Sequence, residues 1–168
     1  MIKFDVSTQR LGLQRVTNQH WDELKRILQD EELMHFSVKG VKTDQEVLHY
    51  IKQSQSDEEE GDGQYTLYSL ETGEFIGIAG YFSFLYEEAK ELEINYRILR
   101  SHWRRGYATE VAIFLADQAF ERLGKQRVFA IVDQRNLASK RVLEKAGFEC
   151  EGKFQYHGRA TFLYQKKL

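Results

Sequence analysis

Three groups of residues have types and spacings that could do chemistry. The first is the stretch Trp103-Arg104-Arg105-Gly106-Tyr107-Ala108-Thr109. It follows Leu92, Ile94, Tyr96 and Ile98, which alternate with polar residues at the period of a half-buried strand. It precedes Ala112, Leu115, Ala116, Ala119, Phe120 and Leu123, which share one face of a helix that Gly124 can stop. Gly106 therefore stands where a strand becomes a helix. The first amides of a helix have no internal partner, and the helix dipole places about half a positive charge there. With no Cβ at Gly106, small Ala108 beside it and Arg104 and Arg105 alongside, the turn suits an anion, most naturally a pyrophosphate. A plain tight turn flanked by solvated arginines would use the same residues.

The second group is Glu91, Glu93, Asn95 and Arg97, the polar face of the strand that feeds this turn. If that face borders a cleft, partial burial raises a carboxyl's pKa and fits it for general base work. On an open sheet the same four are ordinary surface groups. The third is Asn136 and Ser139, at the start of a helical pattern that Asn136 can cap. Ser139 could satisfy that helix's first amides; a nucleophilic serine needs a partnered base, and the sequence has no GxSxG elbow. His20, His35, His49, His102 and His157 lack metal-ligand spacing, so no metal site is expected. Cys150 has no Cys–His signature and reads as a buried structural thiol.

The elements that must position these groups follow from periodicity and punctuation. Arg10 to Val16 reads as a first strand, and Thr17 or Asn18 can cap a helix carrying Trp21, Leu24, Ile27 and Leu28. Thr43-Asp44-Gln45-Glu46 fits a capping box before Val47, Leu48 and Ile51, a second helix to about Gln53. Ser56 to Gly63 reads as a charged loop, a solvated linker that could also draw a cationic substrate. Gln64 to Leu70 and Glu74 to Phe84 are strand-like around a hairpin signal at Glu71-Thr72-Gly73. Gly77 and Gly80 mark a bulge or a close backbone approach, and Tyr86 to Lys90 reads as a looser stretch. Val128 to Val132 is continuously apolar, a strand covered on both faces. The Asn136 helix ends at Gly147 with Leu143 and Phe148 at the contact positions of a Schellman motif. Glu149 to Tyr156 and Arg159 to Lys167 form a closing hairpin around His157-Gly158. The order predicts an α/β (α+β) fold, a mixed sheet with helices on its faces.

The 168 residues suit one domain, 1–168. A net charge of −2 gives no strong attraction to nucleic acid or a membrane surface. No apolar run approaches the roughly 20 residues of a membrane span. The first residues lack a signal peptide's apolar core, and a single cysteine suits a reducing cytoplasm.

Together these residues resemble the GNAT superfamily of N-acetyltransferases, and within it the ribosomal-protein alanine N-acetyltransferase branch. Tyr96 to Glu110 is similar to that branch's acyl-CoA signature, Trp-x-x-Gly-Tyr-Ala-Thr-Glu before a long helix. Asn136-Leu137-Ala138-Ser139, running on through Val142 to Phe148, resembles its second signature, and Thr8 to Gln14 its first strand. The likeness spans most of the chain. It implies a mostly antiparallel sheet whose halves splay at a bulge in the strand of Glu93 to Ile98, with acetyl-CoA in the opening as acyl donor and no metal. Arg104, Arg105, Gly106, Tyr107, Ala108 and Thr109 would hold the pyrophosphate, with Ile98, Asn136 and Ser139 as further cofactor contacts. Trp103 stands where many members carry Gln or Arg, and Leu143 where relatives with a tyrosine acid carry that tyrosine. The resemblance therefore leaves the acid role unassigned, with Ser139 a candidate and Tyr164 a weaker one, and makes Glu93 the base. The implied reaction is direct attack of an amine on the thioester, the oxyanion meeting a backbone N–H near Ile98. The acceptor expected is a protein N-terminal α-amine. A small-molecule amine (amino sugar, polyamine or amino acid) and a non-catalytic acyl-CoA sensor remain open alternatives. Oligomeric state is not legible.

Overall fold

The computed structural model describes residues 2–59 and 63–168. Its frame is one eight-stranded sheet. The strands are β1 (Val6–Ser7), β2 (Leu11–Arg15), β3 (Gln64–Ser69), β4 (Phe75–Tyr86), β5 (Ala89–Ile98), β6 (Arg127–Asp133), β7 (Glu149–Tyr156) and β8 (Arg159–Lys167). Their spatial order is β1-β2-β3-β4-β5-β6-β8-β7. Every neighbouring pair is antiparallel except β5 and β6, which run parallel. The helices are α1 (Trp21–Leu28), α2 (Asp44–Glu59), α3 (Tyr107–Glu121) and α4 (Leu137–Lys145).

The helices divide between the two sheet faces as their apolar residues dictate. Val111, Ala112, Leu115, Ala116 and Ala119 of α3 and Leu143 of α4 pack on Leu92, Ile94, Ile98, Ala130 and Val132. On the other face, Leu24, Ile27 and Leu28 of α1 and Val47, Tyr50 and Ile51 of α2 pack on Tyr68, Phe75 and Ile78. A third, smaller cluster is built from aromatic residues of the strands, with Phe84, Phe129, Phe154 and Tyr156 among them.

Local signals set most boundaries. Thr43 Oγ1 accepts from the Glu46 amide at 3.2 Å and the Glu46 carboxylate from the Thr43 amide at 2.8 Å, a complete capping box. At the end of α4, Phe148 N–H donates to the Leu143 carbonyl and Gly147 N–H to Glu144, the two bonds of a Schellman motif. Gly77 and Gly80 are sites of close approach. A Cβ at Gly77 would lie 2.2 Å from the Arg97 carbonyl oxygen, and one at Gly80 2.3 Å from that of Gly63.

Five expectations need correction. Thr17 caps a short 3₁₀ turn, Asn18–His20, that leads into α1. The second helix does not stop near Gln53 but runs to Glu59, so Ser56 to Glu59 are helical; residues 60–62 of the expected loop lie outside the described residues. The extra turn is held by a polar residue on the buried side: Ser54 Oγ accepts from the Gln64 amide at 2.9 Å. Leu48, counted with the apolar face, is exposed. Tyr86 to Lys90 is not loose. Tyr86 pairs with Ala89 around Glu87 and Glu88, both in left-handed conformation, as in a two-residue hairpin. Cys150 is exposed rather than buried, because β7 is the sheet's edge strand.

Candidate active site

The sheet opens between β5 and β6. Their only paired register among the described residues is Glu93 with Phe129, after which the strands part. The opening does not come from a bulge in β5, since its register on β4 runs unshifted from Ala89 to Ile98. It comes from the parallel partner leaving. The consequence for the backbone is definite. The Leu99 amide donates to the Ile76 carbonyl, so odd-numbered residues of β5 turn their N–H and C=O toward β4. Even-numbered residues turn theirs toward β6, and past the point of divergence the amides of Tyr96 and Ile98 face the gap. The Ile98 carbonyl is held at 2.7 Å by the indole N–H of Trp103. Trp103 thus ties the glycine turn to the end of β5.

That turn has the shape the sequence suggests. Arg104 (φ +61°) and Gly106 (φ +80°) are both left-handed, a geometry in which successive N–H groups converge. Gly106 precedes α3 without any side-chain cap, and the first intrahelical bond is Glu110 N–H to Gly106 C=O. The amides of Tyr107, Ala108 and Thr109 are therefore outside the helix ladder. Arg104 and Arg105 are exposed beside them.

A latch that the sequence reading missed fixes this turn. Glu110 Oε1 accepts from Thr8 Oγ1 at 2.5 Å and from the Arg10 amide at 2.8 Å, and Oε2 from Arg10 Nε at 2.7 Å. Arg10 Nη1 goes on to donate to the Arg105 carbonyl at 2.7 Å, and its guanidinium lies over the Tyr107 ring. These contacts span about a hundred residues of chain, so no local pattern signals them.

Asn136 and Ser139 sit across the gap, where α4 follows β6. Asn136 Oδ1 accepts from the Ser139 amide at 3.1 Å, which caps α4. Ser139 Oγ lies 2.9 Å from the phenol of Tyr96, whose hydroxyl also reaches the Ser139 carbonyl at 3.4 Å. This pair bridges β5 and α4, and burial raises the Tyr96 phenol further above its usual range. Tyr96 reads in sequence as one more residue of the strand's apolar face, so its role was not found there. Tyr164 hydrogen-bonds to Cys150 on the neighbouring strand and lies close enough to Tyr96 for the two hydroxyls to interact electrostatically.

Glu93 lies on the opposite face of β5 and is buried, 7% exposed. The register explains why. Its neighbours across the ladder on either side are Phe82 and Phe129, and Tyr156 of β7 donates to its Oε1 at 3.4 Å. Desolvation raises the carboxyl to about 8, against the opposing pull of the Tyr156 hydrogen bond and the Arg97 charge. Glu91, by contrast, ion-pairs at 2.7 Å with Arg127.

Around Glu93 the wall is built from distant segments. Arg159 of the β7–β8 hairpin donates to the Ser37 carbonyl at 2.8 Å and to Asp133 at 3.2 Å. Arg135 lies over Phe36 and hydrogen-bonds Asp133. The segment between α1 and α2 thereby reaches across to the far half of the sheet. Hydrogen bonds from Arg135 hold the Asp133 carboxyl at about 2 despite its burial, so it serves as a paired anchor.

The arrangement is a parting of β5 from β6 with the first amides of α3 outside their helix ladder on one face of β5 and a shielded carboxyl on the other. A family model described as an acetyltransferase (GNAT) domain matches residues 10–149. The chain belongs to the GNAT acetyltransferases. Its relatives include the N-acetyltransferase YoaA of Bacillus subtilis, 29% identical over 88% of this acetyltransferase and 84% of YoaA. Among solved structures, a candidate ribosomal-protein-serine acetyltransferase of Vibrio cholerae superposes with a TM-score of 0.76 at 21% identity, covering 99% of this chain and all of that one (100%). The aminoglycoside enzyme AAC(6')-Ib, solved with acetyl-CoA, superposes at 0.77 with 19% identity over 94% and 93% of the two chains. The last two likenesses concern the fold. Among the described residues no helix of this acetyltransferase is long and apolar enough to cross a membrane.

Proposed function

We propose that this acetyltransferase moves the acetyl group of acetyl-CoA to the α-amine of a protein N-terminus, with Glu93 as general base. The observation that carries the reading is Glu93 itself, a carboxyl raised to about 8 at the edge of the β5–β6 gap. A protein α-ammonium has a pKa of about 7.7–8.0 and a lysine about 10.4. Proton transfer to Glu93 is therefore nearly level for the first and uphill by more than two units for the second.

In this reading the amides at Tyr107, Ala108 and Thr109, with Arg104 and Arg105 beside Gly106, bind the donor's pyrophosphate. Asn136, Ser139 and the backbone of Ile98 line the arm that enters the gap. The donor supplies an activated acyl carbonyl on a thiol leaving group. Glu93 takes a proton from the ammonium, and the freed nitrogen attacks that carbonyl from the Glu93 side of β5. The Ile98 amide meets the negative charge that develops on the carbonyl oxygen. The C–S bond breaks as the resulting adduct collapses, and the attacking nitrogen gives up its second proton to the departing thiolate or to solvent, leaving a neutral amide. Ser139, backed by the Tyr96 hydroxyl, can return a proton to the sulfur, although a thiolate of pKa about 8.5 leaves readily without one.

The test is a panel of primary amines incubated with acetyl-CoA and read by mass. Peptides with free α-amines should be acetylated at that nitrogen well ahead of lysine side chains, polyamines and amino sugars. Preferential acetylation of an amino sugar would overturn the N-terminal assignment. Binding of acetyl-CoA with no transfer to any amine would make the chain a sensor.

A further inference from the structure

The transfer chemistry leaves two side chains on the Glu93 face of β5 without a task. Arg97, four residues beyond Glu93 on the same face, makes no ion pair or side-chain hydrogen bond among the described residues. Its electrostatic neighbours are the Glu93 carboxyl, the Tyr50 phenol and a second cation, Lys42. Burial disfavours the charged form of both the Glu93 carboxyl and the Tyr50 phenol, so neither is a ready counter-charge for Arg97. Lys42 has the Glu46 carboxylate near it, and Asp133 of β6 is already shared by Arg135 and Arg159, so neither serves Arg97. A shielded guanidinium without an anion is an expensive arrangement unless something else neutralises it.

Asn95 lies between the two on the same face. Both its amide nitrogen and its amide oxygen are closed to solvent and have no hydrogen-bond partner among the described residues. A side chain offering one donor group and one acceptor side by side is matched by a peptide group. The order along the strand is thus base, amide, cation. At about 3.3 Å per residue the Cα atoms of Glu93 and Arg97 stand roughly 13 Å apart. That separation matches the reach of about two residues of an extended peptide with its side chain or terminus.

We infer that the acceptor site reads a carboxylate on the second residue of the acceptor: the amine at Glu93, the first peptide group at Asn95, and the carboxylate at Arg97 with Lys42 behind it. This rests on the N-terminal reading above and sharpens it. It also separates this site from one built for polycationic amines, which Arg97 and Lys42 would repel. The carboxylate could be an acidic side chain or the free C-terminus of a dipeptide, and the two sources are distinguishable.

Binding is measured by calorimetry on the wild-type protein saturated with CoA, so that no turnover is required. Ala-Asp-amide is compared with Ala-Asn-amide for the side-chain source. Ala-Ala is compared with Ala-Ala-amide for the C-terminal source. One carboxylate peptide should bind at least roughly tenfold tighter than its neutral partner, the range of a charged hydrogen bond. Arg97→Gln should remove that preference and Arg97→Lys should keep part of it, with the CoA-induced melting shift unchanged in both. Equal binding of both pairs by the wild type overturns the inference, as does a preference that survives in Arg97→Gln. If the preference is present but no α-amine is acetylated from acetyl-CoA, the inference stands as a binding site and the base assignment falls.

Discussion

Leu92, Ile94, Tyr96 and Ile98 point from β5 toward α3 and α4, whereas Glu93, Asn95 and Arg97 point from the same strand toward α2, Phe129 and Tyr156. One strand thus presents two chemistries, two residues apart in period and opposite in polarity. On the first face the backbone amides are arranged by local rules: a glycine turn, a helix start, an Asn cap. On the second face the polar groups are buried by segments far away in sequence. The difference teaches where each half of the reaction gets its specificity. In the proposed mechanism donor binding rests mainly on backbone geometry. The acceptor side depends on individual side chains in a poorly solvated setting.

That contrast can be broken most severely at Gly106. A branched Cβ there would sit 3.3 Å from Arg10 Nη2 on a backbone at φ +80°, and would cover the converging amides. Gly106→Val should abolish the rise in melting temperature that acetyl-CoA gives by binding the folded state. A folded Gly106→Val protein with a normal shift would contradict the backbone account of donor binding.

On the acceptor face the expected effect is on stability as well as rate. Glu93 titrates at about 8 folded and 4.5 unfolded. A carboxyl with a raised folded pKa holds its proton longer in the native state, so stability falls as pH rises from 4.5 to 8. Full ionisation of Glu93 is worth on the order of 5 kcal/mol against folding. Glu93→Gln should therefore gain in melting temperature relative to wild type between pH 5 and pH 9. A difference that does not change with pH would mean that Glu93 is not shielded.

A smaller effect is expected at the latch. Glu110→Gln keeps the shape but removes the charge that holds Arg10, loosening the carbonyl of Arg105. Acetyl-CoA affinity by calorimetry should fall roughly tenfold, the scale of a charge-assisted hydrogen bond, with turnover at saturation nearly unchanged. Smallest of all are Ser139→Ala and Glu91→Gln. Loss of the serine hydroxyl leaves the Tyr96 phenol its contact with the Ser139 carbonyl, and Glu91 is committed to Arg127. Turnover should fall less than tenfold for the first and not measurably for the second. A loss above a hundredfold in Ser139→Ala would make it an essential acid.

The same division governs what could be read from the sequence. The glycine turn, the capping box, the Schellman end of α4 and the β7–β8 hairpin are short-range devices with residue signatures, and the structure has them where the sequence places them. Glu93 was reachable because alternation put it on the polar face. Its burial was not, since Phe129 and Tyr156 arrive 36 and 63 residues later. Arg10 with Glu110 and Tyr96 with Ser139 were hidden for the same reason. Other misses have local causes. The Glu87-Glu88 turn lacks the Gly or Asn that marks a tight hairpin. Ser54 broke the apolar pattern of α2 while being buried in it. Cys150 followed a helix stop but fell on an edge strand, which only the order of all eight strands reveals.

The central claim, that a shielded carboxyl on β5 is the base, is tested most directly by the pH dependence of kcat/KM for wild type and Glu93→Gln. The acceptor should be an amine titrating well above 8, so that its own ionisation does not overlap. Wild-type kcat/KM should rise along a limb with an apparent pKa near 8, where Glu93 loses its proton. Glu93→Gln should lack that limb, running roughly 10²–10⁴ below wild type at neutral pH, and should still bind acetyl-CoA. The two curves should converge at high pH as neutral amine accumulates. A Glu93→Gln enzyme that keeps the limb near 8, or matches wild type at pH 7, would contradict the account.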